Sequence, residues 1–339
     1  MKRSLLRVAL AFLMVLAFTF IAHEFRSTNS STADFPSRSI SANEELVEIP
    51  VAEGSSGSAI AKLLFSKGVI ESSQSFFKLA VVDNRASRIA PGIHELNLKI
   101  SAEQALLQLL DASRIPNLIR VFEGAWNSEI FDLLEKNGFE RTEIIKASGL
   151  VKLPSGFTSL EGLLFPSQYS FPEGTSAVSA FQTMVDNFVS KTSEISLSND
   201  AKLSAQQLLI VASIVQAEGD TKDFAKISRV IRNRLTIGMP LQMDSTIHYV
   251  KKVRGSVFLS TQSTLLRSSY NTYRKYGLPP GPIGNPGLDA LRAAVNPADG
   301  SWLYFITVSP GDTRFTSNIS EFNTWKALYT KNRKAGAFK

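Results

Sequence analysis

The stretch LLIVASIVQAEGD, Leu208 to Asp220, places a carboxylate at the end of an almost wholly apolar run. Ser204 followed by Gln207 is a capping-box pattern and predicts a helix that starts there. Gly219, expected in the left-handed conformation, marks its end. Glu218 then sits in the last turn, over Val215, Ile214 and Val211 at three, four and seven positions back. An apolar face and the negative end of a helix both disfavour a charged carboxyl group, so its pKa is expected to be raised. A carboxyl group that stays protonated near neutral pH is what a general acid needs. The same pattern also describes a core helix whose last residue simply reaches into water, and periodicity alone does not separate the two readings.

The chain has 339 residues, 44% of them hydrophobic, enough for one large domain or two to three ordinary ones. It contains no cysteine, which excludes disulfides, thiolate nucleophiles, zinc–thiolate sites and iron–sulfur clusters. His23, His94 and His248 are scattered and form no HExxH pattern, so neither a metal nor a cofactor is expected. The net charge of +7 suits an anionic lipid surface or an anionic wall polymer. Nucleic acid is not expected as a partner, because no nucleic-acid-binding motif is present. Much of the positive excess lies in the N-terminal flank and in the tail KNRKAGAFK, residues 331–339, which reads as a solvated end.

The N-terminus, MKRSLLRVALAFLMVLAFTFIAH, has Lys2, Arg3 and Arg7 ahead of an uncharged apolar run at residues 8–22. At ~1.5 Å per residue the run is short for a hydrocarbon core of ~30 Å, but Leu5, Leu6 and a snorkelling Arg7 extend it. Phe20 occupies a position where signal-peptide cleavage calls for a small residue, so an uncleaved anchor is favoured over a cleaved leader. The positive flank puts residues 1–7 in the cytoplasm and the bulk of the chain outside a single-pass membrane span. A serine- and threonine-rich segment, residues 23–46, reads as a polar linker.

The expected fold class is α+β. VEIPV predicts a strand from Val47, two amphipathic helices follow in SGSAIAKLLFSKGVI and SSQSFFKLAVV, and APGIHELNLKIS precedes a helix in AEQALLQLLDA. This is a small α+β module, residues 47–116. The larger region, residues 117–330, begins with the strand-like NLIRVFEGA and is expected to be a mixed α/β domain. Its helices include NSEIFDLLEKNG and AVSAFQTMVDNFVSKTSEI, and SWLYFITV reads as a buried strand. GLPPGPIGNPG lacks the lysine of a phosphate-binding loop and reads as a rigid loop that lines or shapes a groove.

LEGLLFPSQYSF (Leu160 to Phe171), ASIVQAEG (Ala212 to Gly219), NRLTIGMPLQMDSTIHY (Asn233 to Tyr249) and YNTYRKYGLPPGPIGNPGLDALRAAVNP (Tyr270 to Pro297) occur in that order. Together they resemble the YceG-like family of endolytic murein transglycosylases. The resemblance is close from about Asn117 to Trp325, and the module from Val47 resembles the family's LysM-like subdomain more weakly. It implies that Glu218 is the catalytic general acid. Gln216 stands where many relatives carry a second glutamate. The segment usually written LQTDPT reads LQMDST, with Ser245 in place of proline, and FPDTY reads FPSQY. The segment GDTRFTSNISEFN departs from the histidine-bearing version of many relatives and is assigned no chemistry.

The resemblance further implies a peptidoglycan glycan strand as substrate and a lyase reaction ending in 1,6-anhydromuramic acid. It also implies a place at the cytoplasmic membrane beside penicillin-binding synthases. Candidate sugar contacts are Asn233, Gln242, Asp244, Thr246, Tyr270 and Asn271, whose alternative role is to satisfy loop backbone groups. Asp244 is expected to cap the helix STIHYV. Phe165, Tyr169 and Tyr273 are either sugar-stacking or core aromatics. Two other function classes stay open, an inactive glycan-binding scaffold and a hydrolase with a second carboxylate.

Overall fold

The computed structural model describes residues 32–41, 43–52, 54–195, 197, 202–255 and 261–338. The expected anchor at 8–22, the cytoplasmic residues 1–7 and the start of the linker lie outside the described residues. Among the described residues no helix is long and apolar enough to cross a membrane. The chain divides into two units, one ending at Pro116 and the other beginning at Asn117.

In the first unit β1 (Leu46–Val51) pairs antiparallel with β2 (Gly92–Asn97), and three helices follow the strands' face: α1 (Gly57–Ser66), α2 (Ser73–Val82) and α3 (Ala102–Leu110). Each helix starts at a serine, Ser56, Ser72 or Ser101, whose hydroxyl accepts a backbone N–H of the first turn. Ile49, Leu64, Phe76, Leu96 and Leu106 are fully buried between sheet and helices. A buried amide pair is reciprocal: Asn97 N–H donates to Gln108 Oε1 and Gln108 Nε2 donates to Asn97 Oδ1, each at 3.0 Å. The linker is less free than its composition implies. Asp34 accepts the N–H of Ala102 at 3.0 Å, Arg38 donates to Leu98 O at 3.0 Å, and Arg38 pairs with Glu44. The open N–H groups at the start of α3 draw in that carboxylate.

In the second unit β3 (Ile119–Arg120) and β4 (Gln168–Tyr169) form a minimal antiparallel pair, with α4 (Asn127–Lys136) and α5 (Arg141–Ser148) between them. NLIRVFEGA yields only two paired residues because the chain turns at once, through Gly124 at φ 77° and an Ala125 N–H bond to Phe122 O. Then come α6 (Ala177–Thr192), α7 (Ala205–Glu218), α8 (Phe224–Thr236), α9 (Asp244–Lys251), the single turn α10 (Thr261–Thr264) and α11 (Leu288–Val295). An antiparallel hairpin, β5 (Tyr304–Ser309) and β6 (Asp312–Thr316), leads to α12 (Ile319–Lys334), which packs on β5.

Every strand pairing among the described residues is antiparallel and two-stranded, so the larger unit is α+β rather than mixed α/β. SWLYFITV is not a core strand either. In β5 only Val308 is buried, because a two-stranded hairpin covered by one helix keeps an open face. The centre of this unit is α7, where Leu208 to Val215 are all buried and packed by α8, α9 and α11.

Candidate active site

The capping box predicted for α7 is present. Gln207 N–H donates to Ser204 Oγ at 3.3 Å and Ser204 N–H to Gln207 Oε1 at 2.9 Å. The expectation for Gly219 is corrected: at φ −165° and ψ −175° it is extended backbone open to any residue. A Cβ there would lie 2.4 Å from Ile227 Cδ1, the free end of a side chain, so any other residue asks Ile227 to shift. Thus Ile227 of α8 packs closely over the end of α7.

Glu218 is half-buried in a cleft of about 750 Å³. Burial pushes its pKa up, and the negative Asp244 adds to this, while hydrogen bonding from Ser245 and the positive Arg234 act against it. The Ser245 N–H donates to Glu218 Oε1 at 3.1 Å. That N–H belongs to the first turn of α9, so the carboxyl group ends one helix and faces the positive start of another. The expected cap is displaced by one residue. Met243 is the N-cap and makes no side-chain capping bond, whereas Asp244 is already helical and accepts a hydrogen bond from the Tyr273 hydroxyl. Burial, then Asp244, raise the Tyr273 pKa, so the phenol remains a proton donor.

Gln242 and Asp244 line this cleft with Glu218 and Tyr273. Gln242 holds φ 49°, a conformation uncommon for a side-chain-bearing residue, and its N–H bonds Thr272 O at 3.1 Å. The other candidate contacts sit elsewhere. Asn233 Nδ2 ties α8 to Trp302 O at 2.9 Å and Gly300 O at 3.1 Å. Thr246 is buried and donates to Met243 O at 2.7 Å. Asn271 is buried and donates to Thr264 O and Leu266 O, and Tyr270 packs on Tyr249 at 5.2 Å between ring centres. Of the aromatics, Phe165 and Tyr169 are core, and Tyr273 faces the cleft.

Several parts of the site carried no signal in sequence. Arg234 lies on the amphipathic α8, yet it is buried, donates to Leu303 O at 2.6 Å and stands over the Tyr304 ring at 5.6 Å. It holds α8 to the approach of β5. The opposite wall is β5 with α12, including Phe322, Lys326, Tyr329, Arg333 and, past the helix, Phe338. The tail that reads as a solvated end therefore reaches the site. GLPPGPIGNPG is a buried latch rather than a groove lining. Asn285 is fully buried, accepts the Leu164 N–H at 2.8 Å and donates to Ala125 O at 2.8 Å and Asn127 Oδ1 at 2.9 Å. Gln216, on the far side of α7 from the cleft, accepts the Gly287 N–H at 2.9 Å. Another half-buried carboxyl group, Glu161, receives the Tyr249 hydroxyl at 2.9 Å and the Asn127 N–H at 3.0 Å. Burial raises its pKa, but it is absent from the Glu218 cleft.

Residues 49–327 match the YceG-like family. An endolytic murein transglycosylase of Bacillus subtilis is 32% identical over 319 residues, which is 85% of this chain and 86% of that protein. An endolytic murein transglycosylase of Streptococcus pneumoniae is 35% identical over 166 residues, 47% of this chain and 30% of that protein. A crystal structure from Listeria monocytogenes described as yceG-like superposes with a TM-score of 0.55 at 26% identity, covering 83% of this chain and 98% of that one. On the breadth of the family match and the identity to its Bacillus relative, the chain belongs to the YceG-like family.

Proposed function

We propose that this protein is an endolytic murein transglycosylase that cuts peptidoglycan glycan strands with Glu218 as its one catalytic acid and base. The observation that carries this reading is the lone half-buried carboxyl group with a raised pKa on the floor of a cleft, whose neighbouring carboxylate, Asp244, is engaged by Tyr273. Protonated Glu218 gives its proton to the leaving glycosidic oxygen as the bond from the muramic C1 breaks. The C6 hydroxyl of the same muramic residue attacks C1, and its proton passes to the Glu218 carboxylate. The new C1–O6 bond makes a 1,6-anhydromuramic end, no water is consumed, and the acid is regenerated. An intramolecular nucleophile is already near its target and removes the need for a second working carboxylate. The Ser245 N–H suits the basic half of the cycle, because it supports the charged form of Glu218.

The apolar run at 8–22 is read as the anchor that holds the protein at the outer side of the cytoplasmic membrane, near penicillin-binding synthases that make new strands. The first unit is read as a LysM-like glycan-positioning module.

The test is Glu218→Gln, which keeps shape and removes the transferable proton. Release of anhydro-muropeptides from purified sacculi, followed by mass spectrometry, is expected to fall by about a hundredfold or more while thermal unfolding shows a folded protein. Because a raised carboxyl pKa lowers stability as pH climbs from the unfolded value through the folded one, the variant is expected to match the wild type in acid and exceed it at neutral pH. Hydrated reducing ends from the wild type indicate a hydrolase, and absence of any product indicates a scaffold. Normal turnover by the variant removes Glu218 from the chemistry.

A further inference from the structure

The wall opposite Glu218 differs in kind from its floor. Helix α12 buries none of its residues, yet Phe322, Lys326, Tyr329 and Arg333, spaced by three or four along it, share one face and line the cleft. That face holds two cations and no acid. Arg333 lies in the last turn, where a cation is favoured by the helix end alone. Lys326 has no such reason. It is mid-helix and exposed, its neighbours at three and four positions are Phe322, Asn323, Tyr329 and Thr330, and it makes no ion pair among the described residues. On the floor, Arg234 is committed to carbonyl groups and Asp244 to Tyr273. The cleft cation that no contact among the described residues commits is therefore Lys326 on α12.

We infer that α12 is a carboxylate-recognition wall, in which Lys326 binds acidic substituents of the strand while Tyr329 and Phe322 flank its sugars. The inference rests on the proposed function and narrows its substrate: the ligand is an acidic glycan, and a neutral one of the same length is a poor fit. Muramic residues offer carboxylates from two sources, the lactyl group where the peptide is absent and the peptide's own acids where it is present. A lysine ammonium is a compact point charge that either source satisfies.

The test uses the full chain with Lys326→Ala, Lys326→Glu and, as an off-cleft control on the same helix, Lys331→Ala. Each is assayed on stem-bearing strands, on strands stripped of peptide, and on both after methyl esterification of the carboxylates. Lys326→Ala is expected to raise KM about tenfold on one or both acidic strands, with a much smaller change in kcat, and Lys326→Glu to raise it further. Esterification is expected to raise the wild-type KM similarly, and the two changes should not add, as in a double-mutant cycle. The strand type that shows the effect identifies the source of the carboxylate. Binding of each strand to Glu218→Gln, with and without Lys326→Ala, is measured in parallel. Failure of the wild type to cut any strand strikes the proposed function, whereas weaker binding on loss of Lys326 still supports the wall. Unchanged KM and binding on every strand, or equal losses on esterified and acidic strands, overturn it.

Discussion

At Ser245 the chain has a backbone N–H and a hydroxyl where the pattern it resembles has proline. The bond from that N–H to Glu218 Oε1 favours the carboxylate, so it opposes the raising effect of burial. Proline is tolerated in the first turn of a helix, where no intrahelical partner awaits the N–H. Ser245→Pro should therefore keep α9 and remove the bond, lifting the Glu218 pKa further. The alkaline limb of the pH–rate profile reports loss of the proton from the acid, and it is expected to move to higher pH. An unmoved limb in a folded variant means that the bond does not tune the acid. The place of Glu218 in the last turn of α7 was legible from the capping box and the apolar run, but its burial was not, because the same pattern fits an acid that reaches into water until α9 is seen packed over it. Gly219 was misread because a glycine after a helix can be extended as readily as left-handed, and only coordinates distinguish the two.

Among elements, helices with caps and 3.6-residue periodicity were readable, and α1, α2, α3, α4, α6 and α7 lie where their patterns put them. Short strands were not, since two residues of pairing in β3 carry no alternation and β5 is half-open. The loop from Gly277 to Gly287 shows the same limit. Glycine and proline announced rigidity, but the buried Asn285, bonded to two separate segments at Leu164 and at Ala125–Asn127, sets its role. Asn285→Ala would leave the Leu164 N–H and Ala125 O with fewer partners in a dry core and is expected to cost about 2–4 kcal/mol, read as a lower thermal midpoint or denaturant midpoint. A loss under 0.5 kcal/mol means that water or a shifted backbone replaces the amide. The α12 wall was illegible because its residues look like those of any solvated amphipathic end until β5 turns them towards Glu218.

Across the whole molecule two separate hydrophobic clusters serve the two units, one from Ile49 to Leu109 and one from Ile119 to Ala294. Membrane attachment, if it resides in residues 8–22, is thus separable from folding. A chain beginning at residue 32 keeps Asp34 and Arg38, which dock on α3 and the end of β2, and should be soluble. It is expected to release anhydro ends from free strands at a rate near that of the full chain, while the full chain alone fractionates with membrane. Recovery of both forms in the soluble fraction overturns the anchor. Because Phe338 lines the cleft, any polypeptide that continues past it departs from the rim of the site. A purification tag or reporter fused there is expected to crowd the cleft and lower turnover relative to an N-terminal fusion; the same exit point offers a place to tether a glycan mimic that reports occupancy.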